Sequence, residues 1–254
     1  MDAEHVTSRG ISYSCRGSGP PLLLLHGWCL NRSVWSYQEE RLRQDFTVMS
    51  LDLPGFGRSS AVAPPSSLDG FASELVEFIR ELDLRGAAVA GFAFGAAVAM
   101  IAAKNRDFSA RALVLVAPPS AAHAPYARMP ASMRRDWPEF ARRSAKAIVN
   151  QPHSDATMLW LEEMFRSTPL ATAIDTCRLL ESFEPEEHAT DVELETLILH
   201  GKDDPIVPLQ VSERCRQRMR RASLAPVADC GHLAILDQKE RTSDLIRTFL
   251  SEPR

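Results

Sequence analysis

Gly91-Phe92-Ala93-Phe94-Gly95 follows the short apolar run Ala87–Ala90 and leads directly into the alanine-rich run Ala96–Ala103. This order predicts a strand that passes through a sharp turn into a helix. Glycines two residues before and two after the centre let neighbouring backbones approach and tolerate strained dihedrals. Gly and Ala are common residues, so tight strand–helix packing also accounts for the string taken alone. The flanking sequence decides between the two.

Apolar runs of similar length recur at Pro21–Leu25, Thr47–Leu51, Ala112–Val116, Glu195–His200 and Ser223–Ala228. Each is bounded by Gly, Pro or polar turn residues, as strands are. Runs that are apolar on both faces fit parallel strands covered by helices. In Leu68–Leu84 the residues Leu68, Phe71, Leu75, Phe78, Ile79 and Leu82 step by threes and fours, which predicts a helix. Asp69 in its first turn suits the helix dipole. Further helices are expected at Ala96–Ala103 and Glu240–Leu250. The alternation predicts the α/β class, a mostly parallel sheet flanked by helices with right-handed crossovers. The rhythm breaks between Pro118 and Glu187, where eight prolines punctuate helical patterns at Ala131–Val149, Asp155–Arg166 and Leu170–Phe183. A core of residues 1–118 and 187–254 with a helical lid at 119–186 is therefore expected, the prolines cutting the lid into short helices. The proline- and serine-rich stretch Ser59–Ser67 reads as an exposed loop.

A chain of 254 residues with 45% hydrophobic and 24% charged residues has a globular rather than a disordered balance. Its net charge of −4 gives no global drive toward nucleic acid or membrane. Met1–Gly10 lacks the basic-then-apolar pattern of a signal peptide, and no apolar run approaches the roughly 18–20 residues that cross a bilayer. The five cysteines are odd in number and widely spaced with no CxxC pair, which suits buried free thiols in a reducing compartment. His5, His123, His153 and His188 lack metal-ligand spacing. Neither a G-x-G-x-x-G after the first strand nor a P-loop lysine is present. The expectation is a cytoplasmic monomer that needs no metal or cofactor.

Four further segments surround the 91–95 turn. Leu22–Leu25 runs into His26-Gly27-Trp28, and Thr47–Leu51 into Asp52-Leu53-Pro54-Gly55-Phe56-Gly57-Arg58-Ser59. Glu195–His200 runs into Gly201-Lys202-Asp203-Asp204-Pro205-Ile206-Val207-Pro208, and Ser223–Ala228 is followed by Cys230-Gly231-His232. Together, in this order, they strongly resemble the α/β-hydrolase family over nearly the whole chain outside 119–186. The resemblance implies an α/β-hydrolase fold with Ala93 at the nucleophile position of a G-x-S-x-G elbow. It implies Asp204 as the acid, from the pattern G-x-x-D-x-ϕ-V-P with ϕ apolar, and His232 as the base. Asp203 is the runner-up for the acid; its other reading is a solvated loop carboxylate. The backbone N–H groups of Trp28 and Phe94 would face a developing oxyanion. His26 is expected to orient its turn, His200 to be a packed core histidine, and Cys29 to be a packed thiol rather than a pocket residue.

The first third, His26-Gly27-Trp28 with Leu30-Asn31, Val34-Trp35 and the 52–59 turn, resembles the carboxylesterase family of biotin synthesis. That family cleaves the methyl ester of a pimeloyl group on acyl carrier protein. The resemblance implies a serine carboxylesterase acting on an acyl-chain ester, with the carrier protein as partner. Similar first thirds occur in other small esterases, C–C hydrolases and cofactor-free dioxygenases. Ala93 departs from the pattern and admits two readings. In one, alanine replaces a serine and inactivates an esterase. In the other, the protein is a non-hydrolytic lyase, cyclase or binder that uses the His–Asp pair or the pocket alone. Between Arg128 and Lys146 six basic residues stand against two acidic ones. Arg128, Arg134, Arg135, Arg142 and Arg143 could dock an acidic carrier or a phosphopantetheine phosphate, with Arg135, Arg142 and Lys146 on one helix face, or they could be a solvated face. A second cluster, Arg214 to Arg221 on the helix after Asp204, reads as solvated surface.

Overall fold

The computed structural model describes residues 4–252; residues 1–3 and 253–254, which the sequence reading assigns to the core, lie outside the described residues. Eight strands form one sheet among them: β1 Glu4–Val6, β2 Ser12–Arg16, β3 Pro21–Leu25, β4 Thr47–Leu51, β5 Ala88–Phe92, β6 Ala112–Val116, β7 Glu195–Gly201 and β8 Ala222–Val227. Their order is β1-β2-β4-β3-β5-β6-β7-β8. β1 and β2 are antiparallel, and β2 runs antiparallel to β4. The remaining neighbours are parallel. The helices are α1 Ser36–Leu42, α2 Leu68–Glu81, α3 Phe94–Ala102, α4 Met129–Arg135, α5 Trp137–Ala147, α6 Asp155–Ser167, α7 Leu170–Leu179, α8 Pro185–Ala189, α9 Leu209–Arg218, α10 Ala234–Asp237 and α11 Lys239–Ser251.

Every residue of β5 and β6 is buried, and so is every residue of α3. A helix that is apolar all round belongs inside the protein, and small alanines let α3 lie close behind the sheet. The chain leaves β3 for β4 on one side and later returns to β5 on the other. The loops after β3 and β5 therefore diverge, and this reversal of strand order opens a crevice at the strands' carboxyl ends.

The antiparallel edge, β1 and β2, has no counterpart in the sequence reading. β2 is Ser-Tyr-Ser-Cys-Arg, and its inward residues are serines rather than apolar side chains. The Ser12 N–H donates to Ser59 Oγ at 2.9 Å, and Ser14 Oγ donates to Glu39 Oε1 at 2.8 Å. Hydrogen bonding thus satisfies an inward face that a hydrophobic pattern cannot register.

Between Val116 and Glu195 the described chain contains helices α4 to α8 and no strand. The single helix expected over Ala131–Val149 is broken. Asp136 is extended (φ −159°, ψ 91°), and its side chain accepts the Glu139 N–H at 3.0 Å, so it ends α4 and caps α5. Pro138 sits in the first turn of α5, where proline is tolerated. Arg135 consequently lies on α4 while Arg142 and Lys146 lie on α5, and the expected common helix face does not form. Arg220 and Arg221 likewise fall beyond the end of α9.

The turn after β4 is built around a buried carboxylate. Asp52 Oδ1 accepts the Arg32 N–H at 2.7 Å, and Oδ2 accepts Arg32 Nη1 at 2.9 Å and the Arg58 N–H at 3.0 Å. A Cβ on Gly57, whose φ is +50°, would stand 2.5 Å from that carboxylate. This explains why the turn needs Asp52 and Gly57 together. Asp52→Ala removes the buried partner of Arg32, leaving it Glu4 Oε1 at 2.9 Å and Ser12 Oγ at 2.7 Å, and orphans the Arg58 N–H. Breaking such a buried pair costs about 3–5 kcal/mol, and the remaining partners place this one at the low end. Urea unfolding of the variant checks this; a loss below about 1 kcal/mol would mean that solvent replaces the carboxylate.

Candidate active site

Ala93 stands between β5 and α3 at φ 46° and ψ −107°. A non-glycine residue rarely occupies positive φ, and such strain persists only when the surroundings impose it. The Ala93 N–H donates to Val116 O at 2.9 Å on the neighbouring strand. A methyl on Gly91 would run into the Gly95 carbonyl, and one on Gly95 would lie 2.5 Å from Leu25 O at the end of β3. Both glycines are therefore steric requirements of the turn. Phe94 opens α3, so its N–H has no acceptor within the helix. Among the described residues neither the Phe94 nor the Trp28 backbone N–H has a hydrogen-bond partner.

Asp204 follows β7 and His232 follows β8. His232 Nδ1 lies 2.7 Å from Asp204 Oδ2, and the Asp204 side chain is only 1% exposed. Asp204 Oδ1 accepts the N–H groups of Ile206 at 2.8 Å and Val207 at 3.0 Å. A second histidine touches the same carboxylate: His200 Nε2 is 3.2 Å from Oδ2 and 2.8 Å from Val207 O. Because these neighbours of Nε2 are acceptors, Nε2 carries the proton, and Ser212 Oγ donates to His200 Nδ1 at 2.7 Å. Burial by itself raises the Asp204 carboxyl, but the charge and hydrogen bonds of His232 and His200 outweigh it and hold the group well below the usual carboxylate range. With Nδ1–H directed at Asp204, His232 Nε2 is left as an acceptor. Asp203 turns elsewhere, accepting the Cys230 N–H at 3.3 Å.

His26 is fully buried at the turn after β3. Its Nε2 accepts the Leu53 N–H at 3.0 Å and its Nδ1 donates to Gly27 O at 2.8 Å. Burial lowers its pKa, which suits a neutral ring tying two turns together. Cys29 is buried with its thiol pushed well above the ordinary value by desolvation, and it does not line the cavity. Burial also pushes Cys177, Cys215 and Cys230 up to about 12. No group of three or more His, Cys, Asp or Glu among the described residues is arranged to hold a metal ion. No helix among them is long and apolar enough to cross a membrane.

A cavity of about 300 Å³ lies over the elbow. Ala93, Phe94, Trp28 and His232 line its floor together with side chains of the helical segment such as Phe140 and Ile148. Trp28 bridges the two parts: its Nε1 donates to Ala173 O and Thr176 Oγ1, both at 3.1 Å, on α7. Its ring stands edge-on to Phe140 and Phe165 at 6.2 and 6.1 Å. The five arginines singled out in the sequence separate. Arg143 lines the cavity, whereas Arg142 is held by Glu139 at 2.7 Å. Arg128, Arg134 and Arg135 do not line the cavity. The contact of His200 with Asp204 and the anchoring of Trp28 on α7 are invisible to sequence reasoning, since neither has a local signature.

The model of the alpha/beta hydrolase family matches residues 22–245. The chain belongs to that family. The AB hydrolase superfamily protein YisY of Bacillus subtilis (strain 168) is 26% identical over 260 residues, spanning 97% of this chain and 96% of that protein. The pimeloyl-[acyl-carrier protein] methyl ester esterase of Nitrosomonas europaea is 28% identical over 240 residues, spanning 89% and 93%. Among solved structures, an esterase from Exiguobacterium antarcticum superposes with a TM-score of 0.89 at 20% identity, covering 99% of this chain and 100% of that one, which establishes the fold alone. Family membership and esterase-named relatives support hydrolase chemistry for this α/β hydrolase.

Asp204 also ties the site to stability. Its folded pKa lies below the unfolded value of about 3.9, so the ionised group stabilises the fold above that pH. The contribution is lost as pH falls through the folded pKa. Asp204→Asn should therefore be less stable than the parent at pH 7, with the gap narrowing below about pH 4. Urea unfolding across that range checks the sign; a gap that widens in acid would contradict it.

Proposed function

We propose that this α/β hydrolase is a carboxylic ester hydrolase of the Ser-His-Asp type in which alanine occupies the nucleophile position, with Asp204 and His232 as its acid and base. The carrying observation is that Ala93 keeps the strained φ of 46° and shares a cavity with His232, whose Nδ1 is 2.7 Å from Asp204. With serine at position 93, His232 Nε2 would take the hydroxyl proton as Oγ attacks the ester carbonyl. The Trp28 and Phe94 N–H groups would receive the oxyanion, and His232 would return the proton to the leaving alcohol. Water would then release the acyl group by the same steps. With alanine that route is closed, and the chain binds its ester without forming an acyl-enzyme.

For the substrate we infer an acyl-chain ester, specifically a pimeloyl-[acyl-carrier protein] methyl ester. Support comes from the name of the Nitrosomonas europaea relative and from a largely apolar cavity of about 300 Å³, a volume suited to a small ligand. Residues 119–186 act as the lid, and Arg128, Arg134, Arg135, Arg142 and Arg143 attract an acidic carrier protein. The protein works as a monomer in the cytoplasm. The retained His232–Asp204 pair favours a second reading, general-base chemistry with no covalent step.

Ala93→Ser should raise hydrolysis of a short-chain p-nitrophenyl ester by several orders of magnitude, and His232→Ala in that background should remove the gain. Equal rates for the parent chain and the Ala93→Ser variant would overturn the esterase assignment. Turnover of a small ester by the parent chain that vanishes with His232→Ala would favour the second reading.

The charge argument has its own test. Arg134→Glu with Arg135→Glu, made in the Ala93→Ser background, should slow turnover of a carrier-bound ester and leave a small ester nearly unchanged. The difference should shrink at high salt, because exposed pairs are worth about 0–1 kcal/mol each and are screened. Kinetics with both substrates at two ionic strengths decide it, and an equal loss on both would make these arginines structural.

A further inference from the structure

A third buried carboxylate, outside the acid and base just described, joins the His232 loop to the helical segment. Asp237 ends α10, and its side chain is 0% exposed. Its Oδ2 accepts the Gly231 N–H at 2.8 Å and the Asn150 N–H at 2.9 Å. Its Oδ1 lies 2.8 Å from His153 Nε2. Gly231 immediately precedes His232, and Asn150 and His153 belong to the stretch leaving α5. The Gln151 N–H also reaches Asp237 Oδ1, at 3.5 Å, and three more bonds cross the same seam. Leu233 N–H donates to Ile148 O at 2.7 Å, Gln151 Nε2 donates to Asp229 O at 2.7 Å, and Asn150 Nδ2 approaches Asp203 Oδ2 at 3.5 Å. A Cβ on Gly231 would stand 3.0 Å from Asn150, so the two backbones are nearly in contact.

We propose that Asp237 is a positioning residue: its carboxylate clamps the His232 loop to the end of α5, so that the imidazole and one wall of the cavity are held as a single unit. A fully shielded carboxylate is costly unless donors surround it. Here its donors come from two segments about 80 residues apart in sequence, so its solvation is satisfied only when the segments are docked. Ser144, Ala147 and Ile148 of that wall line the cavity beside His232. A ligand pressing on α5 therefore bears on the loop that aims Nε2. Asp204 sets the tautomer of His232, whereas Asp237 sets where the ring stands.

The inference rests on His232 being the base of the proposed reaction, and its test includes readouts that do not need turnover. In the unaltered chain, the Gly231 and Asn150 amides should exchange with solvent far more slowly than amides of exposed loop residues that have no hydrogen-bond partner. The low-field Nδ1 proton of the His232–Asp204 bond should be visible by NMR. Asp237→Ala should broaden or abolish that signal while the His200 contacts persist, and Asp237→Asn, which keeps an acceptor for Gly231 and Asn150, should restore it. In the Ala93→Ser background Asp237→Ala should lower kcat about 100-fold with KM little changed, the scale of a misplacement near 1 Å, and Asp237→Asn should recover most of the loss. An unchanged proton signal in Asp237→Ala, or rapid exchange of both amides, would overturn the clamp. If Asp237→Ala fails to fold, the exchange measurement on the unaltered chain decides the matter alone. Absence of esterase activity in Ala93→Ser with the NMR results as expected would remove the proposed reaction and leave the clamp standing.

Discussion

The closeness of α3 to the end of β3 governs the architecture. The Gly95 position has no room for even a methyl group beside Leu25 O, and Gly91 has none beside the Gly95 carbonyl. The chain can pass from a fully buried strand into a fully buried helix only by a turn that forces Ala93 to a φ of 46°. That geometry lifts residue 93 to the cavity floor and leaves the first amide of α3 without an intrahelical acceptor. The strain is retained although alanine carries no reacting atom, because packing of the glycines and alanines imposes it.

Around this turn the protein repeats one device, a buried carboxylate ringed by N–H donors. Asp52 organises the turn after β4, Asp204 the loop after β7, and Asp237 the loop after β8. A buried charge is tolerated only when hydrogen bonds or opposite charges replace its water. Each carboxylate therefore specifies the position of several backbone amides at once, a form of control that apolar packing cannot exert on loops. The histidines divide similarly. His26 and His200 are enclosed and tie segments together, and His232 faces the cavity.

The helical segment is joined to the sheet by more than its two chain crossings. Trp28, from the turn after β3, reaches α7 with two hydrogen bonds and packs edge-on to aromatic rings of α5 and α6. Floor and roof of the cavity thus share a side chain. The basic residues of this segment are divided by the break at Asp136, with one set on α4 away from the cavity and Arg143 reaching it from α5.

The sequence by itself determined the parallel core, because fully apolar runs and helical periodicity reflect burial and need no partner to be identified. It also determined the order of the five turns at the strands' carboxyl ends, since glycine spacing and Asp, His and Pro positions are local steric and hydrogen-bonding demands. The antiparallel strand β2 was not legible because serines fill its inward face, and the break within residues 131–149 was not legible because an aspartate cap competes with an otherwise continuous periodicity. Only the tertiary structure brought His200 to Asp204, Trp28 to α7 and Asp237 to Asn150. Those contacts join residues distant in sequence, or aim a side chain whose direction the backbone sets, and no periodicity or short motif encodes either.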